Sequence, residues 1–248
     1  MLRLGNDNSV ALQSVLVFNR DIPDIYDANH VDSIRASMAA EIEELFATVE
    51  HQYGHARHRR YDTDFRTPPE FVARLLMHGG YVREDTLVMV LAGDLNSSAA
   101  PLDIRPVQSA SDWESYWELM WIDWMEGQQK QGRVAREDIA RQMWHARRLK
   151  QPPVRYWLAY VGERPVAYFA SWAGVGGVGQ VEDLFTHPDF RLRGIARSLI
   201  FHCVGASRDD GAGPIVIAAD PADTPKNIYH GLGFHPVAVA SQYLKRLG

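Results

Sequence analysis

The sequence predicts an α/β chain of the α+β type, in two consecutive domains at residues 1–97 and 102–248. Three observations predict it. First, residues 181–186 form an apolar-rich run of strand length, and residues 187–193 carry a proline and arginines. From Gly194 onward the apolar positions switch to a helical period at Ala196, Leu199, Ile200, Cys203 and Val204. Second, residues 156–161 and 166–172 read as two strands joined by Gly162-Glu163-Arg164-Pro165, a hairpin. Third, residues 93–101 are small, polar and ended by Pro101, which marks a linker.

The first domain opens on a short strand at residues 15–18 and a turn-rich stretch at 21–29. Val31, Ile34, Met38, Ile42, Leu45, Val49 and Tyr53 then recur at helical spacing and predict one long amphipathic helix. His51, His55 and His58 follow at i, i+4 and i+7, a spacing that suits zinc on a continuous helix. Gly54 interrupts that helix and the neighbouring arginines repel a cation, so a solvated basic turn with no metal is expected. Thr67-Pro68-Pro69-Glu70 reads as a capping box with proline at the first helical position. Its helix carries Phe71, Val72, Leu75 and Leu76 and stops at Gly79-Gly80, and residues 86–91 form a strand. Helix, Gly-Gly-Tyr81, strand echoes the end of the chain: helix, Gly233-Phe234, strand. Two readings of this domain stand side by side: a degenerate half of the fold that follows, and an unrelated α/β extension.

The second domain starts with a strand at 103–106, and Ser111-Asp112-Trp113-Glu114 reads as a capping box. Behind it Trp113, Tyr116, Trp117, Met120, Trp121 and Trp124 form a helical stripe, expected to be core. A further helix is expected at 136–149. Gly174, Gly176 and Gly179 match G-x-G-x-x-G, yet a strand follows where a dinucleotide fingerprint must open a helix. The stretch is read as a flexible turn between antiparallel strands. A strand at 214–219, a short helix at 225–230 and a final strand at 243–247 complete the chain.

The strand, loop and helix at 181–200 carry the chemistry. Glycine at the turn lets backbone approach a ligand, and the unpaired N–H groups of the helix's first turn form an anion site. Arg191, Arg193 and Arg197 add positive charge. The loop has no Gly-Lys-Ser/Thr and is not a Walker A loop.

Composition bounds the rest. Lysine and arginine number 26 against 31 acidic residues, a net charge of -5, which leaves no electrostatic footprint for nucleic acid or an anionic membrane. One cysteine excludes an internal disulfide framework and suits a reducing cytoplasm. The N-terminus lacks the pattern of a signal peptide, and no apolar run is long enough to span a bilayer.

Arg191-x-x-Gly194-x-Ala196 after a strand resembles the pyrophosphate-binding loop of the GCN5-related N-acetyltransferase (GNAT) family. Tyr229-x-x-x-Gly233-Phe234 resembles that family's second signature. The resemblance covers residues 102–248. It implies a mixed, mostly antiparallel sheet flanked by helices, and an N-acetyltransferase using acetyl-CoA as co-substrate, with transfer to a primary amine in a ternary complex. It assigns cofactor contacts to Leu184, Phe185, Thr186, Arg191, Arg193, Gly194, Ile195, Ala196 and Arg197. The far end of the aromatic stripe would wall the acceptor pocket.

Val181-Glu182-Asp183-Leu184-Phe185 resembles the Leu-Glu-Asp-Phe-Phe run of polyamine acetyltransferases, whose glutamate is the proposed base, so Glu182 is the candidate base. Strand alternation places Glu182, Leu184 and Thr186 on one face and Asp183 and Phe185 on the other. For Asp183 capping or pairing with an arginine is the favoured role. Tyr229 is the candidate acid, its phenol suited to a leaving thiolate. Cys203 lies on an apolar stripe and is read as a buried hydrophobe. His187 is read as an exposed loop residue, with a pyrophosphate or acceptor contact left open. The family often has an asparagine seven residues before the tyrosine; here that position is Ala222, with Asp220 and Asp223 nearby. The acceptor stays open between a polyamine, an aminoglycoside, a peptide N-terminus and a lysine, and a homodimer is also left open. The reading from another class is a non-catalytic acyl-CoA-binding or scaffold protein on the same fold.

Overall fold

A computed structural model describes residues 2–247. In chain order its elements are β1 (Asp7–Ala11), β2 (Ser14–Phe18), β3 (His30–Asp32), α1 (Ala39–Gln52), β4 (His58–Thr63), α2 (Pro69–His78) and β5 (Val82–Leu91). There follow β6 (Asp103–Pro106), α3 (Ala110–Lys130), α4 (Glu137–Leu149), β7 (Val154–Val161), β8 (Arg164–Val175) and β9 (Val178–Thr186). The last are α5 (Ile195–Asp209), β10 (Ile215–Ala219), α6 (Pro225–Gly231) and β11 (His235–Arg246). No helix among the described residues is long and apolar enough to cross a membrane.

The chain forms two compact units, Leu2–Val88 with the chain from Ala238 onward, and Met89–Val237. This division differs from the expected one in two places. The stretch read as a linker lies inside the second unit, where Asn96 N–H donates to Leu232 O (3.0 Å) and Ser198 Oγ donates to Ala100 O (2.9 Å). The end of the chain belongs to the first unit, because β11 pairs antiparallel with β4 from Ser241↔Thr63 to Arg246↔His58. Pairing between segments so distant in sequence leaves no local pattern.

In the first unit β1, β2 and β3 are joined antiparallel, and β3 meets β4 in parallel through Val31↔Tyr61. Ile42, Leu45 and Val49 of α1 and Phe71 and Leu75 of α2 bury their apolar stripes in one core with Val31 and Tyr61. The single helix expected from Val31 onward begins only at Ala39. Val31 is in β3 and Ile34 and Ala36 are buried in the extended connection. Burial from two different elements had mimicked one helical period.

The solvated basic turn is also corrected. His58, Arg59 and Arg60 are buried in β4. Arg59 pairs with Glu50 (2.7 Å) and donates to the carbonyls of Tyr53, Ala56 and His58. His55 and His58 both bond Asn29, through Oδ1 (2.8 Å) and the main-chain O (2.9 Å). The N-cap of α2 is Pro68, and Thr67 Oγ1 instead accepts from Asp64 N–H (3.0 Å).

The second unit contains the strand order β10-β9-β8-β7-β6. Neighbours are antiparallel except β9 and β10, which are parallel. On one face Tyr116 of α3 packs against Tyr156 (5.5 Å) and Tyr168 (4.6 Å). On the other, His202 of α5 packs on Trp157 (4.3 Å). The α3 capping box sits two residues earlier than expected: Ser109 Oγ accepts from Asp112 N–H (3.1 Å) and Asp112 accepts from Ser109 N–H (2.8 Å). Gly176 and Gly177 form a two-residue hairpin loop with φ of 63° and 78°, so the glycine cluster is a turn between antiparallel strands. At Gly174 a Cβ would lie 1.6 Å from Val178 O, so the chain tolerates no side chain there.

Candidate active site

The site is built where β9 leaves its parallel neighbour. The β9–β10 ladder runs from Ile215↔Gly179 to Ile217↔Val181, whereas β9 continues to Thr186. Beyond Val181 the β10-facing backbone edge of β9 has no strand partner among the described residues. Amides and carbonyls there need hydrogen-bond partners from elsewhere. Leu184, Phe185 and Thr186 lie in this segment, and Thr186 Oγ1 is buried without a partner.

β9 is also bulged. Tyr168 faces Phe185 and Ala170 faces Glu182, so two residues of β9, Asp183 and Leu184, oppose one of β8. Asp183 takes a φ of 64° to make the extra step. The expected alternation is thereby broken. Cross-strand partners share a face, so Glu182 and Phe185 lie on the one that carries Tyr168 and Ala170. The Asp183 carboxylate reaches the same side, where it pairs with Arg147 of α4 (3.2 Å).

After β9, His187 N–H donates to Val166 O (2.8 Å) and a short turn at Pro188–Phe190 reverses the chain. Leu192 (φ 63°) is fully exposed. Gly194 (φ 81°) is the N-cap of α5, a backbone state that disfavours any residue with a Cβ. The first helical bond is Ser198 N–H to Gly194 O (3.1 Å), which leaves the amides of Ile195, Ala196 and Arg197 without intrahelical acceptors. A Cβ on Gly194 would meet nothing within 4 Å, so the space above this helix end is open. Open space, unpaired amides and the positive end of the macrodipole suit a phosphate.

The three arginines around the loop do different things. Arg191 does not point its charge into that space: its two Nη atoms hold Glu126 of α3 (3.0 and 2.5 Å) and its Nε donates to Thr186 O (3.0 Å). This hydrogen-bonded arginine lowers the Glu126 carboxyl to about 2. Arg193 donates to Asp189 O (2.9 Å), and Arg197 reaches Ser97 Oγ (3.4 Å).

On the α3/α4 side lies a group of charges that the sequence reading did not assemble. Glu182 accepts from Gln180 Nε2 (2.7 Å) and faces Lys150 Nζ (3.9 Å). Asp123 of α3 accepts from Tyr168 OH (2.6 Å). Burial pushes the Asp123 carboxyl up, and the nearby Asp183 and Glu126 add to this. The hydroxyls of Tyr116 and Tyr156 and Nη1 of Arg147 are buried here without partners. The signal was in the sequence: Asp123 falls at i+7 from Tyr116 and i+3 from Met120, a carboxylate inside the apolar stripe. Trp113, Tyr116, Trp117 and Met120 are core as expected, while Trp121 and Trp124, further along the helix, are half-buried.

Tyr229 lies buried on α6, 6.2 Å from the Phe234 ring, and burial raises its phenol to about 12. At Ala222 the turn is closed by Asp220, which accepts the Ala222 N–H (2.7 Å), and Asp223 accepts from Thr224 N–H (2.7 Å). Cys203 is fully buried and its thiol is pushed up by burial. His187, expected to be exposed, is half-buried, and its ring contacts Arg164 Nη2 (3.3 Å).

Residues 113–234 match the model of the acetyltransferase (GNAT) family. No curated protein matches the chain. Among solved structures, a functionally unknown conserved protein from Staphylococcus epidermidis is similar at 13% identity and a TM-score of 0.74, covering 98% of this chain and 95% of its own. A GCN5-related N-acetyltransferase from Kribbella flavida is similar at 19% identity and a TM-score of 0.71, covering 98% of this chain and 90% of its own. A tandem GNAT protein from the clavulanic acid biosynthesis pathway has 12% identity and a TM-score of 0.59, over 85% of this chain and 71% of its own. These are likenesses of fold, and the tandem arrangement fits the N-terminal α/β half.

Proposed function

We propose, from the premise that residues 113–234 are a domain of the acetyltransferase (GNAT) family, that the chain moves the acetyl group of acetyl-CoA to a primary amine of a small molecule or peptide. The observation that carries this is the gap between β9 and β10 with the Gly194-capped end of α5 beside it. The residues fit the ligand. The amides of Ile195, Ala196 and Arg197 and the charges of Arg193 and Arg197 suit the diphosphate. The main-chain groups of Leu184, Phe185 and Thr186 suit the pantetheine arm and the acyl carbonyl. Acetyl-CoA supplies the acyl group as a thioester.

An amide of β9 aimed at the acyl oxygen lowers the barrier by roughly 3 kcal/mol in comparable sites. Glu182, with Asp183 on the same side, draws the amine as its cation. Tyr229 holds the proton that the leaving sulfur takes. Its buried phenol, at about 12, keeps that proton at neutral pH. A single cysteine suits a reducing compartment such as the cytoplasm.

A second reading, a non-catalytic acyl-CoA-binding or scaffold protein, is favoured by Ala222, where the family often has an asparagine. The test begins with the thermal shift against acetyl-CoA, with ATP and NAD as controls. A hundredfold excess over Kd adds about 2.7 kcal/mol, or about 5–10 °C for a chain of this size. Thiol release with an amine panel then separates the readings: release supports the enzyme, and a shift without release supports the binding protein. No shift at millimolar acetyl-CoA overturns both.

A further inference from the structure

We infer that Asp123 is the carboxylate that receives the acceptor, an alkylammonium, and takes the proton whose loss frees the nitrogen to form the C–N bond. This rests on the acetyl-transfer reading above. Three observations on the α3/α4 side of β9 carry it.

The first is position. Tyr168 OH fixes the Asp123 carboxylate at 2.6 Å, and Tyr168 is the cross-strand partner of Phe185, its ring 5.5 Å away. Phe185 follows Leu184, the residue whose main chain is proposed to bind the acyl carbonyl. Asp123 is therefore held one strand away from the proposed reaction point, on the face opposite α5.

The second is charge. Four carboxylates gather here. Asp183 is paired with Arg147, Glu182 with Lys150, and Glu126 with Arg191 and Lys130. Asp123 is the one of the four without an ion pair among the described residues. A carboxylate taken out of water is costly unless a cation completes it. The ammonium group of an acceptor is such a cation.

The third is the polar surroundings. Tyr116 OH, Tyr156 OH and Arg147 Nη1 are buried without partners on this face of the sheet; the Tyr116 ring lies 4.6 Å from that of Tyr168 and 5.5 Å from that of Tyr156, and the Arg147 guanidinium lies 5.5 Å from the Tyr168 ring. Buried hydroxyls and a guanidinium N–H with free hydrogen-bonding capacity can bond a polar acceptor. The groups that act on the Asp123 charge are Tyr168 from β8, Arg147 from α4, Asp183 from β9 and Glu126 from α3.

The proposed step balances. The ammonium first gives one proton to Asp123, which frees the lone pair; the amine nitrogen then bonds to the acyl carbon, and the second proton it loses passes to solvent, from which Tyr229 is reprotonated. The C–S bond breaks, and the sulfur takes a proton from Tyr229.

The test measures thiol release from acetyl-CoA against pH, at saturating amine, with n-butylamine, spermidine, L-lysine and the weakly basic hydroxylamine. The wild type should show an acid limb in kcat with the alkylamines. Asp123→Asn should lower their kcat about 100-fold and abolish the limb, with a loss of less than about tenfold for hydroxylamine, which holds its proton less tightly. Glu182→Gln should raise KM and keep the limb. Tyr168→Phe removes a hydrogen bond that favours the charged carboxylate, so it should move the limb to higher pH.

An unchanged limb in Asp123→Asn overturns the inference and leaves acetyl transfer standing. If that variant does not fold, Tyr168→Phe decides, and an unmoved limb overturns the inference. No thiol release by the wild type with any of the amines overturns the inference together with the acetyl-transfer reading on which it rests.

Discussion

Arg191 and Glu126 tie the loop after β9 to α3 through both arms of one guanidinium, at 3.0 and 2.5 Å. The third donor of Arg191, its Nε, holds Thr186 O at the end of β9 (3.0 Å). One side chain thus fixes the strand end and the loop against the helix that carries Asp123. Glu126→Gln removes the charge and half of the fork. We expect acetyl-CoA affinity to fall about fivefold, the equivalent of about 1 kcal/mol. The melting temperature should move by no more than about 2–4 °C, since partly exposed pairs contribute about 1 kcal/mol or less. Calorimetric titration checks the first and thermal denaturation the second. Glu126 is depressed to about 2, so its contribution is full above the ordinary carboxylate range and is lost as pH falls toward 2.

Gly194 separates two causes of failure. Its φ of 81° disfavours a Cβ, but the Cβ itself meets nothing within 4 Å. Gly194→Ala should therefore destabilise by about 1–2 kcal/mol of backbone strain while retaining some acetyl-CoA binding. Gly194→Glu places a carboxylate in the proposed phosphate position and should abolish the acetyl-CoA thermal shift. Retained binding in the glutamate variant would place the diphosphate elsewhere.

Tyr229→Phe keeps the buried ring and removes the hydroxyl. We expect kcat to fall about 10–100-fold with acetyl-CoA affinity unchanged. Single-turnover thiol release alongside a binding titration checks this. An unchanged rate removes Tyr229 from the mechanism.

The first unit should lose stability in mild acid. Burial lowers His58 from 6.5 to about 4. Its neutral ring, bonded to Asn29 O, is then the form that the fold requires. The group's contribution is present above pH 6.5 and is lost as pH falls through 4, in total about 3 kcal/mol. Urea denaturation between pH 7 and 4 checks this, and His58→Gln should flatten that part of the profile.

Much of the second unit was legible because its signals are local. The strand, loop and helix around Gly194 depend on one backbone state at a glycine and on a helical apolar period, both visible in a short window. The hairpin at Gly176-Gly177 and the buried Cys203 were legible for the same reason. The box at Ser109 was missed by two residues because Ser111 and Glu114 offer the same spacing in the next frame.

The first unit misled the periodicity. Val31 and Ile34 are buried from β3 and the connection after it, and Arg59 is buried because Glu50 and three carbonyls satisfy it. Neither fact shows in neighbouring residues.

Residue type and short-range spacing were enough to place the loop and glycine-capped helix start at 187–197 and the aromatic helix, and they carry the two signature motifs. Spacing along the chain gave no sign that β11 pairs with β4, that the bulge at Asp183 turns two carboxylates to one side, or that Asp123 meets Tyr168 while Arg191 meets Glu126. These are contacts between residues far apart in the chain. They are selected by the burial and the hydrogen-bond needs of the packed state, which no local pattern encodes.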